Sequence, residues 1–308
     1  MNALIRAEFQ RIVARRAVRA VVALVAVGIV AAGVIAFTTS SSLADATYRQ
    51  QKQAAEVRFD AQRAAAEQCI QTHGGTAGRD VSQAVRDKCV PAHFASAHDP
   101  RFHRKRLGGI LKGTSGLFAI VGLALGATLV GAEFASRGMT TLLTYEPRRL
   151  RVFAAKVVTG AVAMATLAFV TLVGIGLAVL PALLMHGAPV THGDPTWAGV
   201  AGIIGRGTAL VALTTGIGMA IATLGRTTAA ALGAGLGYIV LVEYILGAFL
   251  KSWRPWLFLG NVIVFVSGRS SGSGVSGRSV LGAGIFLSLV ATGLVALAAV
   301  SFRQRDIA

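Results

Sequence analysis

Few residues of this 308-residue chain are arranged for covalent chemistry. None of its six lysines is preceded by Gly and followed by Ser or Thr. No Gly-x-x-x-x-Gly-Lys-Ser/Thr loop is therefore present to cradle nucleotide phosphates. His73, His93, His98, His103, His186 and His192 could ligate a metal. The five-residue spacing of His93, His98 and His103 does not stack ligands on one helix face, which needs three or four. Neither His-Glu-x-x-His nor Cys-x-x-Cys occurs. The reading is no catalytic set, no metal site and solvated histidines.

The remaining chemistry is electrostatic. Glu243 is the one acid in an apolar run over 227–250. A carboxylate inside a membrane is costly and needs a partner or a cavity. Arg206 is the natural partner. It lies about 20 residues up one helix from a turn at 225–227, and Glu243 about 16 up the next, so at ~1.5 Å per residue their depths differ by roughly 6 Å. The stretch 133–156, EFASRGMTTLLTYEPRRLRVFAAK, holds Arg137, Arg148, Arg149, Arg151 and Lys156 against only Glu133 and Glu146. A loop that merely connects two spans needs no such density of charge; a docking surface for a soluble partner does.

These residues need helices in a bilayer to position them. The composition is 54% hydrophobic and 14% charged, where soluble domains carry roughly 25% charged residues. Charge-free blocks run over 20–44, 113–132, 157–193, 207–225 and 280–302, near or beyond the ~20 residues that cross a hydrocarbon core. With 227–250 they predict six spans. No block alternates with period two, which argues against a β-barrel. The first block is too long for a signal peptide's apolar region and lacks a clear cleavage site, so it is read as a retained span. The net charge of +17 comes without the interleaved aromatics of a base-stacking surface. It is assigned to anionic lipid rather than nucleic acid.

Before the first span, Leu4, Ile5, Phe9, Ile12 and Val13 form one helical stripe, as in a helix lying at the membrane interface. Residues 39–108 form a polar insertion whose 43–71 portion is rich in helix formers. Ser40 to Ser42 offer its cap, and His73-Gly74-Gly75 ends it. A second short helix is expected over 80–88. The insertion has too few large apolar residues to stand alone and must lean on other loops or on a partner. Residues 257–267 are apolar but too short to span and read as a re-entrant or interfacial piece. The Gly/Ser-rich stretch 267–279 reads as a flexible linker.

Glu133, Arg137-Gly138, Leu142-Leu143-Thr144 and Pro147-Arg148-Arg149 resemble the coupling segment of permease subunits of bacterial type-2 ABC exporters. One departure is Met139, where that family usually has Thr. The amphipathic start, the Glu243 hairpin and the terminal Arg305-Asp306 also resemble that family; the 39–108 insertion lies outside the likeness. The apolar runs and the resemblance together predict an all-α polytopic membrane protein with six transmembrane helices and an N-terminal interfacial helix, and the orientation that the resemblance implies makes residues 39–108 a helical extracytoplasmic insertion. The parts of the chain are residues 1–38, 39–108, and a five-span core over 109–308. Glu133, Arg137, Gly138, Glu146, Pro147, Arg148 and Arg149 become ATPase-coupling residues, and an Arg206–Glu243 pair fits the family.

The resemblance also implies partners: a separate ABC ATP-binding subunit that holds the ATP, a second permease copy or related subunit, and the lipid bilayer. Both termini would be cytoplasmic in a bacterial cell membrane. Charge alone supports this weakly, because only 13 of the 30 basic residues would then lie inside, and the run 101–106 sits beside the second span. In this orientation Cys69 and Cys89 are both outside, in the insertion, where a disulfide suits an oxidising compartment. Two other classes fit the spans: an ion-coupled carrier acting alone, and a membrane anchor or sensor with an outer receptor segment. The first would need more intramembrane polar residues and internal repeats than are seen. The substrate is open among lipid, peptide and hydrophobic drug.

Overall fold

The computed structural model describes residues 2–74, 89–91, 99–136, 148–191, 193–249, 251–268 and 278–304. The described elements are helical: α1 (Asn2–Ala14), α2 (Arg16–Thr38), α3 (Asp45–Gly74), α4 (Arg104–Ala135), α5 (Arg149–His186), α6 (Trp197–Gly225), α7 (Thr228–Gly237), a π-helix (Tyr238–Leu246), a 3-10 turn (Lys251–Trp256), α8 (Phe258–Ser267) and α9 (Val280–Gln304). Among the described residues, six helices are long and apolar enough to cross a membrane: α2, α4, α5, α6, the continuous α7–π segment and α9. The protein is an all-α polytopic membrane protein.

The chain divides into two compact units. One comprises Met1–Val34, Arg104–Leu180 and Val190–Ala308; the other comprises Ile35–His103 and Pro181–Pro189. The boundary in α5 falls at Pro181, which has no N–H for the helical ladder.

In the first unit α4 and α6 pack so closely that side chains are excluded. A Cβ on Gly126 would lie 2.4 Å from the Thr215 carbonyl oxygen, and one on Gly218 2.1 Å from that of Leu123. Small residues are what let helix backbones approach in lipid, where the hydrophobic effect supplies no force between helices. α2 lies on α5 in the same way, with Gly33 against the Ala178 backbone. One core cluster gathers Ile12 of α1, Leu129 and Val130 near the end of α4, Phe153 at the start of α5, Ala222 near the end of α6, Ala231 of α7 and Phe302 of α9. Alternate helix starts and ends meet there, as six successive crossings require.

The α6–α7 connection is tight, as expected. Arg226 caps α6 in the left-handed region (φ 57°), and the Thr227 hydroxyl accepts the Ala230 N–H to start α7. Large apolar side chains including Leu24, Leu177, Leu236 and Leu289 point outward and are exposed. A lipid environment would cover them.

The second unit contains α3, and the structure joins Cys69 on it to Cys89 in a disulfide. The segment 181–189 belongs to this unit, so the insertion leans on a neighbouring loop. Phe102, fully buried, donates its N–H to His186 O (2.8 Å) and accepts from Ala188 N (3.1 Å). The Ser40 hydroxyl donates to Ala36 O (2.7 Å) and lies 3.0 Å from His186 Nδ1. α3 itself starts at Asp45, so Ser40 secures the end of α2 instead of capping α3. Arg101 is buried, bonded through Nε and Nη2 to Asp99 (2.9 Å each) and through Nη1 to Asp45, and stacked on Tyr48. The guanidinium hydrogen bonds push the Asp99 carboxyl down to about 2 and push Arg101 up. The expected helix over 80–88 lies outside the described residues, as do His93, His98 and His192.

Candidate functional site

Among the described residues, the largest ionic assembly lies where α1 meets the flanks of the charged 133–156 stretch. Glu8 is the only acid in the first 44 residues. One helical turn separates it from Ile12, and both are buried, while Phe9 and Val13 are about half exposed. α1 thus has a protein-facing side through Glu8 and Ile12 and an apolar outer side through Phe9 and Val13. The sequence stripe had grouped Ile12 with the outer set. On the protein-facing side, Glu8 accepts from Lys156 Nζ at 2.9 Å. Lys156 also lies 2.7 Å from Glu133 Oε2, and Arg15 bonds the other oxygen of Glu133 at 2.9 Å. Arg15 further donates to the Thr128 and Leu129 carbonyls, and Arg11 reaches Glu8 at 3.4 Å.

The Lys156 and Glu8 side chains are only 4% and 5% exposed, and Glu133 14%. At these separations each contact is worth roughly 6 kcal/mol of attraction at an effective dielectric of about 20. That offsets a desolvation cost of several kcal/mol per ion. The junction therefore adds little net stability but fixes one geometry. It ties α1 to the last turn of α4 through Glu133 and to the first turns of α5 through Lys156, the two roots of the intervening segment.

Of the expected coupling residues, Glu133 is thus engaged inside the protein. Arg148 is exposed, and its carbonyl accepts from Arg151 N and Val152 N to begin α5. Arg149 is partly covered. Arg137, Gly138, Glu146 and Pro147 lie outside the described residues. Glu8 and Arg15 were not singled out from sequence as site residues. The available signal was a lone acid in an arginine-rich helix, on the side of buried Ile12.

Arg206 and Glu243 have different neighbours. Glu243 Oε1 accepts the Leu259 N–H at 2.7 Å, and the Arg206 guanidinium lies against Gly268. No ion pair joins Arg206 to Glu243 among the described residues. Nor do three or more His, Cys, Asp or Glu side chains gather there as metal ligands would.

Six candidate spans, a short non-spanning helix and a charged junction at the roots of a polar segment, among the described residues, define a multi-pass membrane protein. A family model for ABC-2 family transporter proteins matches residues 2–307, and the chain belongs to that family. It is thus a membrane subunit of the ABC transporter class. No curated protein and no solved structure matches it.

Proposed function

We propose that this chain is the permease subunit of an ATP-driven exporter, that it forms the translocation pathway with a second copy or a related subunit, and that segment 133–156 docks a separate ATPase. The observation that carries this reading is the buried junction of Glu8, Glu133 and Lys156. A load applied between residues 133 and 156 meets two roots already fixed to each other through α1. It is passed to α4, α5 and, through α1, toward α2, instead of being absorbed by a loose loop. Exposed Arg148, with partly covered Arg149 next to it, stands at the start of α5, at the end of the segment that would receive that load.

Both termini are cytoplasmic in this reading, and the 39–108 insertion is outside. The charge run 101–106 is less of an obstacle than its sequence suggests, because Arg101 is neutralised by Asp99 and Asp45. The chain contributes no ATPase chemistry of its own; ATP is held by the partner.

The test is co-expression with an ABC-type ATP-binding subunit from the same cell. Copurification and stimulation of ATPase activity on reconstitution are expected. Arg148→Glu with Arg149→Glu should abolish that stimulation while leaving expression and membrane insertion intact. Unchanged stimulation would remove the docking role and leave these arginines as contacts for lipid headgroups.

A further inference from the structure

α8 is ten residues long, about 15 Å, half of what a crossing needs. Its N-cap residue, Leu257, supplies no side-chain cap. The first amides of a helix have no partner within it, and in a water-poor setting they must find one elsewhere. Here they do. Phe258 N–H is accepted by the Tyr238 hydroxyl at 3.1 Å, and Leu259 N–H by the Glu243 carboxylate at 2.7 Å. The other end closes with Gly268 in the left-handed region (φ 70°). The guanidinium of Arg206 is packed on that glycine: a Cβ there would fall 2.8 Å from Nη2. Arg206 Nε is buried and has no hydrogen-bond partner among the described residues. A negative group thus stands at the positive end of the helix dipole and a positive group at its negative end, the favourable sense at both.

The π-helical winding of Tyr238–Leu246 makes this possible. In an α-helix, residues five apart point about 140° away from each other. With hydrogen bonds running from i to i+5 the winding is slower and the angle between them narrows, which brings them toward one side. Tyr238 and Glu243 are five apart, and both reach consecutive amides of α8. α8 is also pinned in its middle. Buried Asn261 donates to Pro255 O and Leu257 O, and its Oδ1 accepts from Arg278 at 2.9 Å.

We infer that Glu243, Tyr238 and Arg206 are positioning residues for α8: the two intramembrane charges act on opposite ends of this short helix, not on each other. α8 packs its apolar side chains on α9, α4 and α6, while its two ends are set by polar side chains of α6 and the π-helix. This goes beyond the exporter reading, and its test requires no substrate or ATPase.

Residue-resolved hydrogen exchange on the purified permease in nanodiscs gives the first measurement. The Phe258 and Leu259 amides should exchange slowly in the unmodified protein, although helix N-terminal amides are ordinarily open. Free exchange at both would overturn the inference. Glu243→Ala should raise exchange at Leu259 by about ten- to a hundredfold, the range for losing a hydrogen bond to a charged acceptor. Glu243→Gln, which keeps an acceptor oxygen, should raise it much less. Equal effects from Gln and Ala would overturn the capping role. The charge swap Arg206→Glu with Glu243→Arg separates the rival geometry. A direct ion pair would be restored by the swap, so recovery of thermal stability would sink the proposal. Two charges reading a helix dipole would both be reversed, so the swap should be no more stable than the worse single variant.

Discussion

Lys156 serves two carboxylates, Glu8 and Glu133, in a site nearly closed to water. Replacing it with Met leaves Glu133 to Arg15 and leaves buried Glu8 only the longer contact to Arg11. Loss of one partner of a buried pair costs about 3–5 kcal/mol. The Lys156→Met permease should show such a loss as a lowered melting temperature in detergent. Adding Glu8→Gln should recover part of it, because the Arg15–Glu133 pair then stands alone and satisfied. Strict additivity of the two changes would mean that the groups do not interact. Asp99 permits a pH test. Its carboxyl is depressed from 3.8 to about 2, so its contribution is present above about pH 4 and is lost as pH falls toward 2. Thermal melts should show Asp99→Asn costing stability at pH 5 and much less near pH 2. An equal cost at both would remove the Arg101 pairing as the cause.

Between elements, what decides the packing is how near two backbones come. Gly218 faces the Leu123 carbonyl, with 2.1 Å left for a Cβ, whereas Gly216 on the same helix has 3.7 Å to a methyl of Val295. Gly218→Ala should therefore destabilise the α4–α6 pair by about 1–3 kcal/mol, and Gly216→Ala should be close to neutral. Matching losses in a thermal-shift assay would contradict the packing. The spans themselves were legible in the sequence because charge is excluded from lipid, and each charge-free run holds a helix. Their ends were less so. α4 begins at Arg104 and α5 at Arg149, each eight or nine residues before its apolar run, since a helix extends past the hydrocarbon with polar side chains. The short apolar piece near 257–267 is a helix too short to span, at Phe258–Ser267. The Arg206–Glu243 partnership did not. Counting at an α-helical pitch cannot anticipate a π-helix that turns Glu243 toward α8. The Glu8–Lys156 contact was hidden for a different reason: its partners are 148 residues apart, and no local pattern signals such a pairing.

For the whole molecule, the two compact units carry separate expectations. The first belongs to the bilayer. The second holds the Cys69–Cys89 disulfide, which closes a loop of about 20 residues and contributes roughly 3 kcal/mol by chain-entropy reckoning. Non-reduced peptide mass spectrometry of cell membranes should find the two cysteines linked. Alkylation of both without prior reduction would count against the disulfide and also against an outer position for the insertion.

The 148-residue separation between Glu8 and Lys156 also sets a timetable for biogenesis. At about 5–20 residues per second, Lys156 leaves the ribosome roughly 7–30 seconds after Glu8. Over that interval α1 and the first span are already made, and Arg11 is the nearest cation to Glu8 in its own helix. The junction closes only after the second span has entered the membrane and the third has begun. It is a late contact in assembly: until the third span has begun, Glu8 has no Lys156 to meet.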